Sequence, residues 1–415
     1  MELLPVEPVR DLDTLCLPTW GRVRKVDGIV PWELVDGAGH RVEPVCRFLR
    51  ELVAQKRSPA TLRSYAYVLQ RWWRFLLAVG IRWDQATPAD LRDFVLWLLH
   101  VHKPLVRRRT VSAATAGTVN PFTRKQYLGD RYGSATIAHS NAVLRSFYEF
   151  WIEQGAGPLV NPVPRFPTRG GRPQGHHNPR RPFRTEGRLR YDPPRPKRRP
   201  RAMPDGLWLD LFKAMRSDRD RAILALDVST GARAAELLGL CGADVDWGDQ
   251  LIQVRRKGTQ AQQWLPASPD AFVWLRLYYA QAGTPGPSDP VWRTLRRRRR
   301  AGGELERVPL NYKALRAVLR RANARLGTNW TMHDLRHTCA IRMLRDARLS
   351  LRDIQTVLGH AHLATTEAYL VQDDHEVIGR VHDHHAAQAA APPVPRPPAG
   401  TVRYDAADLD ILFGG

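Results

Sequence analysis

The first half of the chain carries apolar residues at helical spacing in four stretches, with polar and basic residues between them. Val45 to Ala54 is the first. Ser58-Pro59 then reads as a helix start, with Ser as the cap and Pro at the first helical position, where its missing N–H costs nothing. The helix it opens, Ala60 to Val79, sets Tyr65, Tyr67, Trp72, Trp73 and Phe75 among Arg63, Arg71 and Arg74, so that one face is apolar and the other basic. Thr87-Pro88 starts a third helix reaching Leu99, and Ser134 a fourth, with the stripe Ile137, Val143, Leu144, Phe147, Phe150 and Trp151. Residues 1–40 are short apolar pieces broken by Pro and Gly, without a period, and stand only as an N-terminal extension.

The pattern changes twice further on. Between 161 and 202 the chain is rich in Pro and Arg, ending in Pro193-Pro194-Arg195-Pro196-Lys197-Arg198-Arg199-Pro200; this composition buries no core and predicts a semi-rigid basic linker. Helical spacing then returns over Leu207 to Arg216, Asp218 to Ser229 and, after Thr230-Gly231, the helix carrying Leu237, Leu238 and Leu240. Leu251 to Arg256 and Gln262 to Pro266 read as strands joined by the turn Lys257-Gly258-Thr259. Leu310 to Leu326 is one helix, ended by Gly327. The predicted fold is therefore mainly α. A helical N-terminal domain (41–160) precedes a mixed, mostly α domain (203–380) with a small antiparallel sheet, and 381–415 form a tail. The end of that tail, Ala406 to Phe413, alternates acid with Leu, Ile and Phe, as either a docking helix or a frayed end would.

Charge narrows the class of partner. The chain holds 64 Lys and Arg against 41 Asp and Glu, a net charge of +23. Only eight of the 64 are Lys, as base-composition drift in a GC-rich genome would produce, but drift does not explain the excess of bases over acids. A field of this sign attracts polyanions, nucleic acid first. The basic runs Arg107-Arg108-Arg109 and Arg296 to Arg300 fit phosphate contact or a solvated surface equally well. Cys16, Cys46, Cys241 and Cys339 form no C-x-x-C pair, which argues against a disulfide framework or a zinc knot. With no basic-then-apolar leader and no apolar run of membrane length, the expectation is a soluble, cytoplasmic protein.

One stretch, Thr331 to Tyr369, concentrates chemistry. His333 and Arg336 are three apart and share a face of a helix. An Arg that stays ionised can hold two phosphate oxygens in its planar fork, and a His titrating near neutrality can move a proton. Beyond the Gly359 break stands His360, and one short helix later Tyr369, whose phenol is a nucleophile once deprotonated. Singly, each residue is more often part of a core or a surface. His333 and His337 are also four apart, as in a zinc-binding His-Glu-x-x-His helix, with Asp334 in the place of the base. That reading lacks an obvious third ligand and puts Arg336 beside the metal.

Taken together, His333-Asp334-Leu335-Arg336-His337-Thr338, Leu358-Gly359-His360 and Thr365-Thr366-Glu367-Ala368-Tyr369 resemble the C-terminal motif of the tyrosine recombinases, the phage integrase family. Thr230-Gly231-Ala232-Arg233-Ala234-Ala235-Glu236 is similar to the family's pattern around its first active-site Arg, and Lys257 falls on the hairpin turn where the family carries its Lys. The four N-terminal helices resemble its core-binding domain more loosely. The resemblance implies a catalytic set of Arg233, Lys257, His333, Arg336, His360 and Tyr369. Tyr369 would be the nucleophile, Lys257 the general acid, and His333 the acceptor of the tyrosine proton, with His337 and Asp334 supporting. It further implies double-stranded DNA with a specific recombination site as the partner, a homotetramer on two duplexes, and neither metal nor other cofactor. Accessory DNA-bending or directionality factors stay open. A type IB topoisomerase, a telomere resolvase and an inactive DNA-binding accessory protein are the competing readings.

Overall fold

The computed structural model describes residues 10–103, 114–166, 188–194, 200–256, 259–299, 304–360, 366 and 381–387. They fall into two compact units, one reaching Arg198 together with Gly327–Asn329, the other beginning at Arg199.

In the first unit the helix starts act locally. Helices α1 (Glu43–Ala54), α2 (Pro59–Ala78), α3 (Pro88–His100) and α4 (Ser134–Glu153) surround one core. Ser58 Oγ accepts from the Thr61 N–H at 3.2 Å, and Thr87 and Asp90 cap each other reciprocally; both devices satisfy amide donors that the first helical turn leaves without partners. Aromatic rings fill the centre: Trp72 meets Phe94 edge to face with centroids 5.0 Å apart, the arrangement the ring quadrupoles favour. Their polar tips are also paired, since Trp72 Nε1–H donates to the Tyr148 hydroxyl at 2.8 Å, which donates to the Trp83 carbonyl at 2.9 Å.

The N-terminal segment does more than extend the chain. Strands β1 (Arg22–Lys25) and β2 (Trp32–Val35) form an antiparallel hairpin, and Leu34 and Val35 are fully buried. Four-residue strands are too short to show a period, which is why the sequence pattern gave no sign of them. Polar ties complete the attachment: Gly21 O accepts from Gln70 Nε2 at 2.7 Å and from Arg74, and Arg10 pairs with both Asp90 and Asp93. Two pieces of the Pro/Arg-rich stretch are likewise held, Val163 O by Arg145 NH1 at 2.6 Å and Asp192 by Asn141 Nδ2 at 2.9 Å.

The second unit is built around α6 (Asp218–Thr230), flanked by α5 (Asp205–Lys213) and the short α7 (Ala234–Leu238). Strands β3 (Val245–Asp246), β4 (Leu251–Arg255) and β5 (Gln262–Pro266) make an antiparallel sheet in that order. Helices α8 (Pro269–Ala282), α9 (Tyr312–Leu326), α10 (Met332–Leu344) and α11 (Leu351–Leu358) complete it. Helix α8 was not anticipated, although Ser268-Pro269 repeats the start signal of α2. Ala222 to Leu226 are buried in succession, so α6 is covered on all sides by α8, α10 and the sheet rather than along one stripe. Within the basic segment 293–303, Arg298–Arg299 (β6) pair with Leu305–Glu306 (β7), so that stretch is partly a hairpin. Among the described residues no helix is long and apolar enough to cross a membrane.

Gly21 adopts φ +61°, and a Cβ there would lie 2.7 Å from the Val35 carbonyl oxygen. Gly21→Ala is expected to lower the stability of the first unit by about 1–3 kcal/mol, while Gly129→Ala, with nothing within 4 Å of its Cβ, stays within about 0.5 kcal/mol. Equilibrium denaturation of both variants checks this; equal losses would refute the steric argument.

Candidate active site

Two helix ends and one helix start build the site. Helix α6 closes on Gly231, whose left-handed φ of +61° stops the helix and turns its carbonyl outward. Helix α11 closes the same way on Gly359, at φ +62°. Helix α10 opens with Thr331 N–H and Oγ1–H both donating to Asp334 Oδ2 at 2.7 Å. Asp334 therefore serves as a cap that fixes the first turn of α10, the turn that carries His333 and leads to Arg336.

Arg336 sits where these ends converge. Its side chain points inward, and the residue is 3% exposed. NH1 donates to Gly231 O at 2.5 Å, and NH2 donates to Leu358 O at 2.7 Å. The carbonyls that a helix end leaves without amide partners are thus satisfied by a cation, at the negative pole of each helix. NH2 also lies 2.9 Å from His360 Nε2. A guanidinium has donors only, so Nε2 accepts, the imidazole is neutral, and its proton is on Nδ1, which donates to Thr366 Oγ1 at 2.9 Å. Burial, and then the charges of Arg336, Arg233, Arg256 and His333, depress the His360 pKa to about 4.

A second knot of charge stands beside the first. Glu236 receives the Arg233 backbone N–H at 2.9 Å and Arg233 NH1 at 2.8 Å on its two oxygens, and Arg256 NH1 at 3.1 Å. Arg256 is buried, and also donates through Nε to Gln263 Oε1 at 2.8 Å and through NH2 to Val357 O. Burial lowers the Arg256 pKa, with Glu236 opposing. Gly359 makes room for it: a Cβ at that position would lie 2.7 Å from Arg256 Nε. The glycine of Leu358-Gly359-His360 is thus required both by its backbone angle and by the guanidinium against it.

Of the six expected residues, the structure brings Arg233, Arg336 and His360 into one cluster, and His333 is exposed on α10 with its ring 4.1 Å from that of His337. Lys257 and Tyr369 lie outside the described residues. Sequence reasoning missed Arg256, although its signal was present. Ile252 and Val254 are buried on β4, and alternation carries the next inward position to 256. Asp227, fully buried on α6, was also missed, and no spacing rule marks it.

Residues 209–376 match the Phage integrase family, and residues 45–119 match the Phage integrase, N-terminal SAM-like domain. The chain is 26% identical over 346 residues to tyrosine recombinase XerC of Chromobacterium violaceum, covering 82% of this chain and 93% of that protein. It is 25% identical over 309 residues to tyrosine recombinase XerD of Lacticaseibacillus casei, covering 71% and 89%. This chain belongs to the tyrosine recombinase, or phage integrase, family. Among solved structures, the Tn1549 transposon integrase with a circular intermediate DNA superposes with a TM-score of 0.50 at 12% identity, over 82% of this chain and 99% of that one, a likeness of fold. The family's His-x-x-Arg and Leu-Gly-His motifs in this recombinase are therefore two halves of one hydrogen-bonded unit.

His360 is expected to titrate at about 4 in histidine-resolved NMR, well below its usual range near 6.5. Its folded pKa lies below the unfolded one. The stability it contributes is therefore present above about 6.5 and is lost as pH falls through about 4. An inflection near 6.5 would mean that Nε2 does not accept from Arg336.

Proposed function

We propose that this chain is a site-specific DNA recombinase or integrase that cuts and rejoins DNA through a 3′-phosphotyrosyl intermediate, without metal or ATP. The observation that carries the reading is the convergence of Arg336, His360 and Arg233 on two capped helix ends, a preorganised cationic seat for a phosphodiester. Tyr369 attacks the phosphorus, and the 5′ oxygen leaves with a proton from Lys257. His333 takes the tyrosine proton. Because the phosphotyrosyl bond conserves the energy of the broken one, a second 5′-hydroxyl reseals the strand by the reverse steps.

Charge gathers on the non-bridging oxygens in this transition state, and Arg233 and Arg336 oppose it with charges held in place by Glu236 and by the two helix-end carbonyls. His360 now accepts from Arg336 at Nε2 and carries its proton on Nδ1; to donate to a phosphate oxygen through Nε2 it must give up the Arg336 bond and shift that proton from Nδ1 to Nε2. Lys257 is suited to proton delivery because an ammonium can give up a proton where a guanidinium cannot. The relatives' names and the excess of basic residues support double-stranded DNA carrying a recombination site as the partner. A homotetramer on two duplexes, acting in the cytoplasm with or without accessory factors, is the assembly that this reading entails. The domain bounds that go with it are an N-terminal extension (1–40), a core-binding domain (41–160), a linker (161–202), a catalytic domain (203–380) and a tail (381–415).

The test is covalent. Incubated in EDTA without ATP with nicked or suicide DNA carrying its candidate site, the wild type is expected to form a denaturant-resistant protein–DNA adduct, and Tyr369→Phe none. An adduct surviving Tyr369→Phe would move the nucleophile elsewhere, and relaxation of supercoils without any site requirement would favour a topoisomerase. Arg336→Ala is expected to slow adduct formation by about 10²- to 10³-fold, the usual cost of losing one preorganised donor.

A further inference from the structure

Asp227 is a buried acidic residue that the proposed chemistry leaves unused. It lies one turn before the end of α6, its backbone carbonyl accepts the Gly231 N–H at 2.8 Å, and Gly231 in turn holds Arg336. The residue is 0% exposed, and among the described residues neither carboxyl oxygen has a hydrogen-bond partner. Its surroundings combine one cation with one acid. From α10 the charge of Arg336 bears on it, from α7 that of Glu236, already held by Arg233 and Arg256, and the α10 thiol of Cys339 lies within its electrostatic reach. The strand β5, also packed on α6, carries no titratable side chain; α8 buries Tyr278 and Tyr279 and leaves Asp270 and Arg276 exposed, and none of the four bears on Asp227. An ionised carboxylate without a single donor is costly to bury, whereas the neutral acid is much less so. Burial accordingly pushes its pKa well up, with Arg336 opposing and Glu236 assisting.

We infer that Asp227 is a positioning residue for Arg336: as a neutral, buried carboxyl on the helix whose end Arg336 closes, it leaves the guanidinium's charge uncancelled, and so keeps that charge for the phosphate. Acting through Arg336 rather than on the substrate, it makes the site sensitive to alkali. Loss of the Asp227 proton creates an internal anion that competes with the phosphate for Arg336. This rests on the recombinase reading given above, and it adds an electrostatic safeguard to that site.

Two measurements test it, one independent of catalysis. In infrared difference spectra at neutral pH, wild type minus Asp227→Asn is expected to show a protonated-carboxyl stretching band; its absence would overturn the inference whether or not the protein cuts DNA. The second is the pH profile of adduct formation on suicide DNA, each protein scaled to its own rate at neutral pH. Wild type is expected to lose on the order of tenfold or more on the alkaline side relative to Asp227→Asn, as an opposite charge at an effective dielectric near 20 demands. Coincident profiles would reduce Asp227 to a packing residue. If the wild type forms no adduct at any pH, it is the recombinase reading that fails, and the infrared band still decides the protonation of Asp227.

Discussion

A guanidinium that closes two helix ends at once is the constraint on which the catalytic unit depends. Arg336 satisfies Gly231 O beyond α6 and Leu358 O at the end of α11, so the distance between those helices is set by the reach of one planar fork. The end of α11 is served throughout in this way: Thr356 O accepts from Gln263 Nε2, Val357 O from Arg256, and Leu358 O from Arg336. Arg256 and Arg336 thus replace amides that the ending helix lacks, while Gln263 adds to the Gly359 N–H that Thr356 O already accepts at 3.0 Å. Lysine could carry the charge at 336 but could not span two carbonyls and an imidazole in fixed directions.

This arrangement explains why the two glycines matter in different ways. At Gly231 an added Cβ would meet Leu358 Cδ2 at 2.8 Å and Cys339 Sγ at 3.1 Å, pushing apart the helices that Arg336 joins. At Gly359 it would meet the guanidinium of Arg256. Both motif glycines are therefore packing positions for the cationic cluster as well as turns, and His360 takes its place only because the chain reverses there.

Much of this could be read along the chain, and the failures have physical causes. Capped, amphipathic helices such as α2 and α3 announced themselves through Ser58-Pro59 and Thr87-Pro88, because their caps and apolar faces are local facts. The hairpin β1–β2 was invisible because four residues per strand carry no usable period, and because its attachment runs through Arg10, Gln70 and Arg74, far away in sequence. In the site, motif spacing marked Arg233, Arg336 and His360, whereas Arg256 emerges only when β4's alternation is extended past the strand's last residue. Asp227 could not be foreseen at all, since its interest lies in the absence of a hydrogen-bond partner among the described residues, a property of packing and not of spacing.

The N-terminal hairpin bears on how such a protein can be reshaped. Leu34 and Val35 share the core of α1–α4, and Arg10 is locked to α3. The first thirty or so described residues are thus a fourth wall of the helical unit, not a detachable arm. A chimera that borrows the helices of another integrase while keeping this hairpin would join two half-cores, each shaped for a different complement. An exchange of the helices therefore has to carry the hairpin and Arg10 with them, well upstream of the first helix.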